Sequence, residues 1–89
     1  MRHATSEDLG AIDGLVSSLR ELAGLTEKRP GVFYRRSKAF LHFHAHDGDL
    51  FADVRTDPGK DFERRRVTTK AEQRRLLAEI RRSLAPSAP

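Results

Sequence analysis

The sequence predicts an α+β domain. It would be a two-layer sandwich with an N-terminal helix, a three- to four-stranded antiparallel sheet and a C-terminal helix. Three observations carry this reading. Apolar residues recur at spacings of three and four near both ends of the chain. Short alternating runs with several aromatic residues fill the middle, and turn dipeptides separate those runs. Burying two helical stripes on one sheet face is the economical way to build a single core from these parts.

The first helix is expected over about residues 5 to 23. Thr5 is placed to cap it, with Asp8 three residues on completing a capping box. Leu9, Ile12, Leu15, Val16, Leu19 and Leu22 form its apolar stripe. Gly10 and Gly14 weaken the helix or permit close approach to the sheet. Gly24 suits a left-handed cap, with Leu25 folding back on Leu19. Residues 26 to 31 form a charged connector ending in the turn Pro30-Gly31.

Strands follow at 32–35, 38–46 and 49–55. Asp47-Gly48 fits a two-residue hairpin loop in which both residues take positive φ. That loop pairs His46 with Asp49, Ala45 with Leu50, Phe43 with Ala52, His42 with Asp53, Leu41 with Val54 and Phe40 with Arg55. Leu41, Phe43, Ala45, Leu50, Ala52 and Val54 then share one face, and a one-residue slip would set histidines among them. Arg36-Ser37 as the preceding turn pairs Val32 with Leu41 and Phe33 with Phe40, so Val32 and Tyr34 join the core face. Pro58-Gly59 marks another turn, and Phe62 to Thr68 is a candidate wet edge strand. Thr69 and Glu72 make a capping box for the last helix. Leu76, Leu77, Ile80 and Leu84 are its stripe, and Pro86 stops it. The 89 residues read as one domain, 1–89, with its core at about 5–85 and a flexible tail at 86–89.

Composition narrows function. With no cysteine there is no disulfide, thiolate zinc site or thiol nucleophile. No run is long enough to span a bilayer and the N-terminus lacks a signal-peptide core, so a soluble cytoplasmic protein is expected. The net charge of +4 is uneven: nine basic residues face four acids from Lys60 onward. Arg64, Arg65, Arg66, Arg74 and Arg75 are the candidates for phosphate contacts with a nucleic acid. Pairs such as Glu72 with Arg75 and Arg75 with Glu79 are equally normal on a solvated helix.

The far face of the sheet holds the candidate site: Phe33, Phe40, His42, His44, Phe51, Asp53 and Arg55, beside Arg35 and His46. So many aromatic residues there predict an exposed patch that binds a partner, most plainly a second copy of the chain. The second reading is a divalent metal, zinc for example, or a small ligand. Histidines at i and i+2 of a strand point the same way, and Asp53 faces them as third ligand or orienter. His42 and His46 lie about 13 Å apart along the strand, so all three histidines do not serve one ion. Catalysis is the less favoured expectation, because no nucleophile accompanies the His42–Asp53 pair.

The stretch Arg29-Pro30-Gly31-Val32-Phe33, then Phe40-Leu41-His42-Phe43-His44 and Leu50-Phe51-Ala52-Asp53-Val54-Arg55, resembles small bacterial proteins of unknown function. It is also similar to the luciferase-domain family, in which a His-x-His strand precedes a strand bearing an acidic residue. The resemblance covers about residues 29 to 55 and implies that His42, His44 and Asp53 are the motif positions.

Overall fold

A computed structural model describes residues 2–57 and 60–85. Pro58-Gly59, Pro86 and the tail at 86–89 lie outside them. The order is β1 (Arg2–His3), α1 (Ser6–Gly10), α2 (Asp13–Arg20), β2 (Thr26–Arg29), β3 (Val32–Arg35), β4 (Lys38–His46), β5 (Asp49–Val54), β6 (Glu63–Arg66) and α3 (Lys70–Leu84). This is an α+β fold in which N- and C-terminal helices flank an antiparallel sheet. The sheet has six strands, ordered β2-β3-β4-β5-β6, with β1 also paired to β4. That exceeds the expected three or four. β1 and β2 were missed because both are short, and β2 (Thr-Glu-Lys-Arg) carries no apolar alternation for periodicity to detect.

The N-terminal helix is two helices. Thr5 and Asp8 form the reciprocal capping box that starts α1. The helical path then breaks at Ala11-Ile12, and Ile12 caps α2 without a side-chain bond. Two glycines within five residues, each costing about 1 kcal/mol in a helix, lower the benefit of one continuous rod. Neither glycine serves close approach, since a Cβ at Gly10 or Gly14 would meet nothing within 4 Å. At the other end Thr69 and Glu72 form the expected capping box of α3.

The central hairpin has the register read from the sequence, from Leu41 opposite Val54 to His46 opposite Asp49. Asp47 (φ 50°) and Gly48 (φ 81°) make the left-handed turn. The β3–β4 hairpin departs from expectation. Its turn is Arg36-Ser37, but a bulge shifts the pairing so that Phe33 faces Leu41 and Val32 faces His42. The extra residue on β4 lets Phe33 and Phe40 both enter the core, where they are 1% and 2% exposed. Large aromatic side chains contribute more by burial than one regular ladder pair does, so the bulge wins over the even register.

One cluster forms the core. Ile12, Leu15, Val16 and Leu19 from the N-terminal helical region and Leu76 and Ile80 from α3 pack with Leu41, Phe43, Leu50, Val54 and Val67 of the sheet side. The opposite aspect of β4 and β5 is thereby left to the histidines and Asp53.

Candidate metal centre

Strand alternation puts His42 and His44 on the same side of β4, and the hairpin register sets Asp53 directly opposite His42. The imidazole rings meet edge to face, 4.7 Å between centroids. Nε2 of His44 lies 3.0 Å from Oδ2 of Asp53. One nitrogen from each histidine and one carboxylate oxygen of Asp53 all fall within 4.8 Å of one another.

The register of β6 supplies the next layer. Arg64 sits opposite Asp53, and its Nε and Nη2 donate to Oδ1 and Oδ2 at 2.8 and 2.9 Å. Asp53 is 9% exposed, so this fork is what keeps a buried carboxylate charged. The hydrogen bonds from Arg64 hold the Asp53 carboxyl below the usual carboxylate range. Burial opposes them, and the charges of Arg64, His44 and His42 reinforce them. Phe62 closes the side of the site, its ring 5.1 Å from that of His42, with the Arg55 guanidinium 4.3 Å over the same ring.

The expected site residues separate into two groups. His42, His44 and Asp53 come together, with Arg55 one ring away. Phe33 and Phe40 belong to the core instead, and Phe51 is half-buried between His44 and Arg66 in the sheet register. No exposed aromatic cluster exists among the described residues. This overturns the expectation of an open aromatic and histidine face that binds a second copy. The physical reason is the bulge, which turns two of the three phenylalanines inward. His46 stays at the hairpin tip, its Nε2 3.3 Å from Asp47 Oδ2, while Asp49 pairs with Arg66 at 2.8 Å.

The basic stretch is placed among carboxylates. Arg64 holds Asp53, Arg65 holds Glu63 and Glu79, and Arg66 holds Asp49 and Glu72. Arg74 and Arg75 are exposed on α3. Phe62 and Arg64 are the site residues that the sequence reading did not assign to this centre. Three consecutive arginines hid the choice: only the register of β6 decides which of Arg64, Arg65 and Arg66 stands opposite Asp53. No helix among the described residues is long and apolar enough to cross a membrane. No family model, curated protein or solved structure matches the chain.

Proposed function

We propose that this protein is a divalent-metal-binding module in which His42, His44 and Asp53 ligate one ion, with zinc the first to test. The observation that carries the reading is the convergence of three ligand atoms within 4.8 Å on two adjacent strands. Ligands on a tetrahedral zinc stand roughly 3.3 Å apart, given bond lengths near 2.0–2.2 Å. The His44–Asp53 edge, at 3.0 Å, is already near that spacing, and small side-chain rotations close the rest. Two imidazoles and a carboxylate are a donor set that suits zinc and other first-row divalent ions. Three protein ligands leave at least one coordination position for water or a small ligand.

Arg64 is compatible with this role. Each carboxylate oxygen has two lone pairs, so Asp53 can accept the fork and still present Oδ2 to a cation. The guanidinium then orients the ligand. Its positive charge opposes the ion, but Arg64 is 50% exposed and water screens that repulsion. The same His-x-His strand facing an acidic strand underlies the resemblance of residues 29–55 to the luciferase-domain family.

The test is metal analysis of protein purified without a histidine tag, followed by zinc titration. Stoichiometric zinc that is lost in His44→Ala and retained in His46→Ala supports the reading. A metal-free preparation whose thermal unfolding is unmoved by added zinc overturns it, because free zinc at a hundred times its Kd should stabilise the fold by about 2.7 kcal/mol.

A further inference from the structure

A second site lies at the other end of the β3–β4 hairpin. Arg35, Arg36, Lys38 and Arg55 surround a cleft of about 200 Å³ whose walls include Ala39 and Phe40. No carboxylate lines it. Arg20, Arg64, Arg65 and Arg66, by comparison, each hold a carboxylate. The four cations of the cleft form no ion pair among the described residues.

Arg55 carries the argument. Its Nε is buried and has no hydrogen-bond acceptor among the described residues. The Phe62 ring, 4.3 Å from the guanidinium carbon, fixes the plane of the fork. The buried Nε and the ring together hold the Arg55 side chain in place at the wall of the cleft.

The backbone beside the cleft is also irregular. Arg36 (φ 52°) and Ser37 (φ 69°) take left-handed conformations with no glycine, and the β4 bulge falls next to them. Strained turns and bulges of this kind cluster at ligand sites.

We infer that this cleft binds the phosphoryl group of a small phosphate monoester. Several converging cations suit a dianion, whereas one fork would satisfy a carboxylate. The apolar walls of Ala39 and Phe40 lower the local dielectric and strengthen the attraction. The volume is below the roughly 300–1,000 Å³ of pockets for drug-sized ligands, so it takes one anionic group rather than a whole nucleotide.

This inference does not rest on the metal reading, although Arg55 stacks on the Phe62 ring that borders the metal centre, and the experiment keeps the two apart by using protein depleted of metal on a chelating resin. Inorganic phosphate, glycerol phosphate, acetate and a short single-stranded oligonucleotide are titrated into isotope-labelled protein at physiological salt. Phosphate and glycerol phosphate are expected to shift the amides of residues 35–39 and 55 saturably. Arg55→Gln should weaken that binding by about tenfold or more, and so should Arg36→Gln combined with Lys38→Gln, two exposed positions that leave the core untouched. Arg74→Gln should leave it unchanged. The inference fails if neither phosphate compound gives saturable shifts, if acetate binds as tightly, or if only the oligonucleotide binds. It also fails if the double variant binds like the parent protein, a result that stands even should Arg55→Gln not fold.

Discussion

His44 and Asp53 meet across the β4–β5 pair with Nε2 and Oδ2 3.0 Å apart, while Arg64 holds the same carboxylate from β6. The arrangement makes the carboxylate the hinge of the site. Asp53→Asn keeps the shape but removes the negative charge a cation needs, so zinc affinity should fall by about a hundredfold or more. Isothermal titration of the variant against the parent protein checks this. Equal affinities would show that the ion, if bound, is held elsewhere.

Phe33 tests the bulge. At 1% exposed it should behave as a core residue, and Phe33→Ala should cost about 3–5 kcal/mol in urea unfolding. Val32, opposite His42 and only half-buried, should cost under about 1.5 kcal/mol as Val32→Ala. Had the even register held, the ranking would be reversed.

The legible parts of this fold were those where pattern and chemistry agreed. The Asp47-Gly48 turn has the residues its left-handed geometry demands, and alternation on both sides allowed one register only. Both capping boxes were readable for the same reason. The Arg36-Ser37 turn was also found, but Val32-Phe33-Tyr34 is apolar on both faces. Alternation there cannot detect a bulge, and the phenylalanines were put on the wrong side. The grouping of His42, His44 and Asp53 followed from the one unambiguous register. Arg64 and Phe62 did not, because they depend on how β6 pairs after a connection whose length fixes no register.

Gly31 is required for two reasons. Its φ is +76°, and a Cβ there would stand 2.8 Å from Leu9 Cδ2. Gly48 shares the positive φ (+81°) but faces open space. Gly48→Ala should therefore cost about 1–2 kcal/mol for the left-handed backbone alone. Gly31→Ala should cost more, about 2–4 kcal/mol, because Leu9 must also move. Equal losses in chemical denaturation would remove the steric part of the argument.

Ser37 offers the opposite sign. It holds φ at 69° without the freedom of glycine, so Ser37→Gly should stabilise the protein by about 0.5–1 kcal/mol. Thermal unfolding measures it, and a destabilised variant would mean that the Ser37 conformation is not strained.

Glu27 ties the helical region to the sheet and should make stability depend on acid. Its carboxylate accepts from Arg20 Nε at 2.6 Å and Nη2 at 3.2 Å, and from the Gly31 N–H at 2.9 Å. The Arg20 hydrogen bonds depress the carboxyl most. Burial pushes it up, but the Gly31 N–H and the Arg20 charge add to the depression, and it stays below its ordinary value of 4.5. The folded chain thus binds a proton less readily here than the unfolded chain, and stability must rise with pH across this titration. The contribution is fully present above pH 4.5 and is lost as pH falls through the lower folded value. Glu27→Gln should be less stable than the parent by about 1 kcal/mol at neutral pH. That gap should shrink as the pH is taken down toward 3, roughly a unit below the usual glutamate range. Urea midpoints collected over that range provide the comparison; a constant gap would mean that the carboxylate charge contributes nothing and only the shape of the side chain matters.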